Sequence, residues 1–131
     1  CLQCPNGILI RRFEQGFELL RASGKVVSCY LLIGLPGDNL NTFRTAMDYA
    51  VGLRPTKLFC NPLLVLRGTP LRHSAAAHGL QYESAPPYKA LGCATFPTEQ
   101  LRQAQMLGKF VMNSYNKTTG ESQINPACRR N

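Results

Sequence analysis

The chain has 131 residues, which is enough for one modest domain and too few for two. It is 44% hydrophobic and 17% charged, so its composition excludes a chain that is disordered throughout. No apolar run reaches membrane-spanning length and no N-terminal signal pattern is present, so we expect a cytoplasmic protein with no membrane partner.

The net positive charge allows one class of function, the binding of an acidic partner. Fifteen Lys and Arg residues against seven Asp and Glu give a net charge of +8, which suits nucleic acid or an acidic protein. The basic residues are scattered, however, with adjacent pairs only at Arg11-Arg12 and Arg129-Arg130, and no aromatic residues alternate with them. We therefore do not expect nucleic acid to be the main partner, and a small basic binding module is the alternative function.

The first two predicted elements are a helix and a strand. Apolar residues recur at helical spacing and Gly24 follows them as a C-terminal stop, which predicts a helix over residues 10–23. Residues 26–33 are then apolar on both parities, apart from Ser28 and the hydroxyl of Tyr30. This pattern predicts a strand that is covered on both faces.

A glycine-bearing turn, residues 34–37, joins this strand to a second helix. Asp38 or Asn39 is a suitable N-cap, and Gly52 ends the helix. One face of the helix is apolar and consists of Phe43, Ala46, Met47 and Ala50. The turn lacks the Lys-Ser/Thr of a P-loop, and the Asp38 carboxylate would repel a phosphate. On its residues alone, the turn is a tight strand-to-helix connection.

A second strand and a short helix follow. Residues 58–66 are apolar, and Pro62 predicts that the strand ends or bends there, because proline cannot donate to a ladder. Thr69 then caps a short helix that has Pro70 at its first position, and Gly79 closes it.

The sequence of the C-terminal third predicts a loop, a helix and a tail. Residues 80–97 are loop-like, with two adjacent prolines. The next helix has an apolar stripe made of Leu101, Ala104, Gly108, Val111 and Tyr115. From Lys117 onward the sequence is polar and basic, and we expect a frayed tail over residues 117–131.

Alternation of helices and strands predicts an α/β fold with parallel strands. Two such strands cannot form a stable parallel sheet by themselves, so we expect them to belong to a larger open sheet or barrel. The first residue is Cys1 rather than Met, which fits a piece of a longer protein. In either architecture ligands bind at the carboxyl ends of the strands, here residues 34–38 and 61–68.

The cysteines and histidines do not predict a metal site within this chain. Cys1 and Cys4 form one Cys-x-x-Cys pair, and no second pair follows to complete four ligands. His73 and His78 are five residues apart and do not share a helix face. Cys29 and Cys60 lie inside apolar runs, where a free Cys is usually a small core residue.

Four stretches in order resemble the C-terminal part of a radical SAM (S-adenosylmethionine) domain. LLIGLPGD resembles its strand-turn segment, and CLQCPN resembles a Gly-Leu-Gln-Ser-x-Asn segment on the preceding strand. PLLVLRGTPLRHSAAAHGL resembles the Pro-Leu-x-x-x-Pro-Gly-Thr-x-Leu segment on the following strand. SAPPYKAL, with the helix after it, resembles the tail of radical SAM proteins that also carry a cobalamin (B12)-binding domain.

The resemblance implies a fold and cofactors. Residues 1–116 would be the later βα units of a partial TIM-like (β/α)6 barrel, incomplete in this chain, with 117–131 as the tail. A Cys-x-x-x-Cys-x-x-Cys loop near the start of the full domain holds a 4Fe-4S cluster, which reductively cleaves S-adenosylmethionine. That motif is absent from these 131 residues, so the cluster and any cobalamin would be bound by a missing N-terminal half-barrel. The substrate stays unknown.

The resemblance also implies which residues meet S-adenosylmethionine. Gln3 matches a glutamine that hydrogen-bonds the ribose. Leu32 and Ile33 lie on the strand that meets the adenine, Gly34 allows close approach there, and Asn61 is a further adenine-side candidate. From the residues alone, Leu32 and Ile33 are equally core residues, and Asn61 before Pro62 can simply shape a turn.

Departures from the family pattern keep a third alternative open. Tyr30 stands where the family often has an Asp that contacts ribose, and Arg67 replaces the usual Pro before Gly-Thr. The stretch between Asn6 and Phe13 is also shorter than in the family. We expect a fragment of a radical SAM enzyme that is inactive in isolation. The alternatives are the basic module and a non-functional barrel remnant.

Overall fold

A computed structural model describes residues 7–124, which form a small mixed α/β fold. In chain order the elements are α1 (Gly7–Ala22), β1 (Ser28–Ile33), α2 (Leu40–Gly52), β2 (Lys57–Pro62), α3 (Pro70–His73), a 3₁₀ turn (Ala76–His78), β3 (Gln81–Tyr82), β4 (Ala90–Gly92) and α4 (Thr98–Ile124). The described residues do not close a barrel. No helix among them is both long and apolar enough to span a membrane.

β1 and β2 form the sheet that positions the candidate site. They pair in parallel, with Cys29 opposite Leu58 and Ile33 opposite Pro62. α2 makes the crossover between them, which a parallel pair requires. The predicted parallel α/β arrangement is therefore confirmed for these two strands.

One face of this sheet carries the core. Ile33 and Leu58 are 2% and 0% exposed, and they pack on the side where α2 and α4 lie. α4 comes close because it has a glycine at the contact: a Cβ on Gly108 would lie 3.1 Å from the Cβ of Cys60. The core of this face also includes Phe43, Met47, Leu101 and Ala104.

The opposite face of the sheet is open. It consists of alternate residues of the two strands, namely Ser28, Tyr30, Leu32, Lys57, Phe59 and Asn61, and we call it the open face. Tyr30 is 63% exposed and Leu32 is 46% exposed. The prediction that both faces of β1 are covered is wrong for the described residues, because α2 and α4 both pack on one side.

The chain after β2 pairs with a short hairpin. Val65 N–H donates to Tyr88 O at 2.8 Å, and Ala90 N–H donates to Leu63 O at 2.9 Å. β3 and β4 pair antiparallel beside them. The prediction of a loop over residues 80–97 is therefore wrong in part, since these strands are only two and three residues long and depend on distant partners.

Local helix signals are confirmed. The Asn39 side chain caps α2 by accepting from Thr42 N–H at 3.0 Å, and the Thr42 hydroxyl accepts from Asn39 N–H at 2.8 Å. Thr69 caps α3, which begins at Pro70. The helix predicted to run on to Gly79 is divided into α3 and the 3₁₀ turn, which Gly79 closes in the left-handed conformation.

α4 continues beyond its predicted end. It is helical as far as Ile124, so the expectation of a frayed tail from Lys117 is wrong over that stretch. The side chain of Asn116 anchors this part of the helix to β2, and the Thr119 hydroxyl bonds back to Tyr115 O at 3.2 Å. The rest of the tail, residues 125–131, lies outside the described residues.

Candidate functional site

The carboxyl ends of β1 and β2 bring two of the predicted residues together. Leu32 and Asn61 are register partners on neighbouring strands. Both side chains are on the open face, and both are exposed. Because the two strands are parallel, their carboxyl ends meet at one edge of the sheet, which is where α/β folds place their ligands.

These two residues line an open pocket of about 450 Å³. The remaining lining comes from the segment that leaves β2, at Pro62, Leu63 and Leu64. The wall is thus aliphatic apart from one amide, which can both donate and accept a hydrogen bond. A flat heterocycle with polar edges suits such a wall, since ligand sites combine apolar surface with a few polar groups.

Ile33 and Gly34 do not line this pocket. The side chain of Ile33 has the opposite parity from Leu32 and is 2% exposed, in the core beneath the sheet. Gly34 is buried with φ 107°, and a Cβ there would lie 3.1 Å from Leu101 Cδ1. The close approach that Gly34 permits in this structure is therefore to α4. Gln3 lies outside the described residues.

The turn after β1 is held by protein partners. Gly37 N–H donates to the Thr95 hydroxyl at 2.9 Å, and Asp38 N–H donates to Leu35 O at 3.0 Å. The amide at the start of α2, that of Thr42, is occupied by the Asn39 side chain. The turn therefore connects strand and helix, as its residues alone predict, and these amides are not free for an anion.

An aromatic pair lies next to Leu32 and Asn61 on the open face, two residues nearer the amino end of each strand. The rings of Tyr30 and Phe59 stack with their centroids 4.8 Å apart and their planes 19° from parallel. This pair was not predicted, although the sequence contains a signal for it. Tyr30 is three residues before the end of β1 and Phe59 is three before the end of β2, so a parallel register places them opposite each other.

Arg72 fixes the segment that follows the pocket. Its Nη1 donates to Val65 O at 2.9 Å. Its guanidinium lies 4.4 Å from the ring centroid of Tyr82 and 4.9 Å from that of Tyr88. Arg67 lies over the same Tyr88 ring at 5.5 Å. These contacts hold the chain after β2 against the hairpin.

Cys29 and Cys60 are not suited to hold a metal. Burial raises the pKa of Cys60 to about 11, and the nearby Cys29 raises it further in the same direction. Burial also raises the pKa of Cys29. Both thiols therefore stay protonated at neutral pH, whereas a metal ligand must be a thiolate. In residues 7–124 no group of three or more His, Cys, Asp or Glu could hold a metal ion.

Comparison with known proteins adds no relative. No protein-family model matches the chain, and no curated protein matches it.

Proposed function

We propose that this chain is the later part of a radical SAM barrel and forms one wall of the S-adenosylmethionine pocket. The open face supports this proposal. A barrel wall has helices on its outer face and an inner face that the remaining strands and a ligand cover. β1 and β2 have this arrangement, with α2 and α4 on one side and exposed Tyr30 and Leu32 on the other.

The observation that carries the proposal is the pairing of Leu32 with Asn61 at the carboxyl ends of the strands. In such a wall, adenine would lie against Leu32 and the aliphatic lining of the pocket. The Asn61 amide would then bond to the edge of the ring through its donor and its acceptor. Tyr30 would lie beside the adenine site, two residues before Leu32 on β1. Its phenol can offer a hydroxyl to the ribose but no carboxylate. The resemblance assigns the ribose contact to Gln3.

The described residues do not fit the 4Fe-4S cluster that the family uses, since none of their side-chain groups could hold a metal. We therefore assign the cluster, and any cobalamin, to sequence outside this chain. The cluster supplies the electron that cleaves the sulfonium in this family. The isolated chain would bind the adenosyl group without cleaving it, and we expect it to form no 5′-deoxyadenosine.

Amide NMR shifts test the proposal on the chain itself. S-adenosylhomocysteine is the probe, because it carries the same adenosyl group and is chemically inert here. We expect saturable shifts at Leu32, Asn61 and Leu64, with a weak affinity because one wall of a pocket buries only part of a ligand.

Two asparagine variants make the comparison specific. Asn61→Ala should weaken the binding several-fold. Asn41→Ala should leave it unchanged, because Asn41 lines a different pocket, between the start of α2 and that of α4. Shifts confined to that second pocket, or no saturable shift at all, would contradict the proposal.

A further inference from the structure

One wall of the pocket is formed where the chain leaves β2. It consists of residues 62–64, which we call the exit segment. Leu63 N–H still donates to Ile33 O at 2.9 Å, but Leu64 pairs with Lys89 in an isolated antiparallel bridge. The position of this wall is therefore set by the hairpin as well as by β1.

The side chain of Arg72, on α3, connects the exit segment to the hairpin. Its Nη1 donates to Val65 O at 2.9 Å, directly after the exit segment. Its guanidinium lies 4.4 Å from the ring centroid of Tyr82 and 4.9 Å from that of Tyr88. A planar guanidinium can donate hydrogen bonds at its edge and stack on aromatic rings with its faces. One side chain thus contacts three segments that are separate in the sequence.

Tyr88 links Arg72 to the backbone beside the pocket. It has φ 59°, in the left-handed region that side chains other than glycine rarely adopt. In this conformation its carbonyl accepts from Val65 N–H at 2.8 Å. Such a conformation persists only where the surroundings fix it, and residues of this kind cluster at ligand sites. The Arg72 guanidinium beside the Tyr88 ring is one of the contacts that fix it.

We propose that Arg72 is a positioning residue for the ligand that occupies the pocket. Arg72 does not line the pocket itself, whereas Leu64, which is 38% exposed, does. By holding Val65 and Tyr88 together, Arg72 fixes the Leu64 side chain before the ligand arrives. A ligand that meets a preformed wall loses less of its affinity to the ordering of the protein.

The inference rests on the proposed function, because the adenosyl group is the ligand that it concerns. It adds a residue outside the pocket on which the affinity for that group depends. Loss of the Arg72 side chain should free one wall of the pocket, while the contacts of the ligand with Leu32 and Asn61 remain. We therefore expect weaker binding rather than no binding.

Titration of S-adenosylhomocysteine into two Arg72 variants, followed by amide NMR shifts, tests the inference. Arg72→Leu keeps much of the aliphatic stem but loses the hydrogen bond and the charge. It should weaken binding several-fold and abolish the saturable shift at Leu64, while the shifts at Leu32 and Asn61 persist. Arg72→Lys should be intermediate, because its ammonium keeps the charge and can donate to Val65 O but has no planar face.

Two controls separate positioning from a general loss of stability. Arg67→Leu removes the other guanidinium over the Tyr88 ring and should leave the affinity unchanged, because Arg67 is exposed and contacts that ring at 5.5 Å. Asn116→Asp disturbs Leu58, at the opposite end of β2 from the pocket. It should also leave the affinity unchanged at temperatures where the variant is folded. Equal weakening in Arg72→Leu and Asn116→Asp would overturn the inference.

Amide hydrogen exchange of the ligand-free chain gives a second readout, which does not need adenosyl binding. In Arg72→Leu, exchange at Val65 and Ala90 should accelerate more than exchange at Leu58, because those two amides join the chain after β2 to the hairpin. Unchanged relative exchange at Val65 and Ala90 would overturn the inference.

The binding results distinguish failure of the inference from failure of the proposed function. A parent chain that does not bind S-adenosylhomocysteine would contradict the proposed function. A parent chain that binds it, with Arg72→Leu binding equally well, would overturn the role of Arg72 and leave the proposed function standing.

Discussion

Asn116 binds both backbone groups of Leu58 with one side chain. Leu58 N–H donates to Asn116 Oδ1 at 2.9 Å, and Asn116 Nδ2 donates to Leu58 O at 2.9 Å. The amide thus imitates a neighbouring strand at the far edge of β2, and it joins the second half of α4 to the sheet. Leu58 itself is 0% exposed, so its backbone groups depend on this partner.

Replacing Asn116 by Asp should destabilise the fold. The carboxylate keeps the acceptor but loses the donor, and it faces the carbonyl of Leu58. We expect the free energy of unfolding to fall by about 1–3 kcal/mol, the usual effect of leaving a buried polar group unsatisfied. Asn113→Asp is the matched control, because Asn113 is exposed on the same helix. Equal urea midpoints for the two variants would contradict the role of Asn116.

Two glycine-to-alanine changes in helices should act in opposite directions. At Gly108 an added Cβ would lie 3.1 Å from Cys60 Cβ and 3.2 Å from Ile33 Cδ1, whereas at Gly16 nothing lies within 4 Å. We expect Gly108→Ala to destabilise by about 1–3 kcal/mol through overpacking. Gly16→Ala should stabilise by about 0.5–1 kcal/mol through helix propensity. Urea unfolding measures both, and a Gly108→Ala variant more stable than the parent chain would refute the close packing of α4.

Stability should decrease at alkaline pH because of Cys60. Burial, followed by the effect of Cys29, raises its pKa from 9.0 to about 11, so in this range the folded chain holds a proton that the unfolded chain has released. The contribution of this thiol is therefore complete below about pH 9 and is lost as the pH rises toward about 11. Urea midpoints across that range measure the decline, and Cys60→Ala should make it shallower. An equally steep decline in Cys60→Ala would contradict the assignment.

Tyr49 should add a decline at still higher pH. Burial, its hydrogen bond to Glu14 Oε1 at 2.7 Å and the charge of Glu14 together raise the pKa of its phenol to about 12. Stability from this group is present below about pH 10 and is lost as the pH rises toward about 12. Ultraviolet titration of the phenolates measures the pKa directly. Glu14→Gln should lower it, and an unchanged titration curve in Glu14→Gln would show that Glu14 has no part in the shift.

Arg72 should not be replaceable by lysine. Its planar guanidinium contacts two tyrosine rings and Val65 O, which a lysine ammonium cannot reproduce. We expect Arg72→Lys to lower the free energy of unfolding by about 1 kcal/mol. Arg67→Lys should change it by less than about 0.5 kcal/mol, because the exposed Arg67 contacts a single ring at 5.5 Å. Thermal unfolding of both variants checks the difference, and equal effects would refute it.

Features of the fold that depend on neighbouring residues could be predicted from the sequence. The caps at Asn39 and Thr69 and the end of β2 at Pro62 follow from side chains a few residues away. The hairpin could not be predicted, because Tyr88 and Ala90 are fixed by bonds to Val65 and Leu63, more than twenty residues earlier. The continuation of α4 also depends on a distant partner, since Asn116 is anchored by Leu58.

Strand order and parity predict part of the candidate site. Parallel strands imply that Leu32 and Asn61 lie near each other, and the structure places them in register on the open face. The alternation of side chains along β1 also places Leu32 and Ile33 on opposite faces of the sheet. Because both residues are apolar, the sequence does not indicate which of them is exposed. The open face itself could not be predicted, because an apolar strand has the same sequence whether its second face is covered or exposed.

The coding sequence immediately upstream of Cys1 tests most directly whether this chain is the later part of a radical SAM barrel, as we propose. We predict a preceding half-barrel that contains a Cys-x-x-x-Cys-x-x-Cys segment. Gln3→Ala in that longer protein would then be expected to weaken S-adenosylmethionine binding. A stop codon or unrelated sequence upstream of Cys1 would contradict the claim.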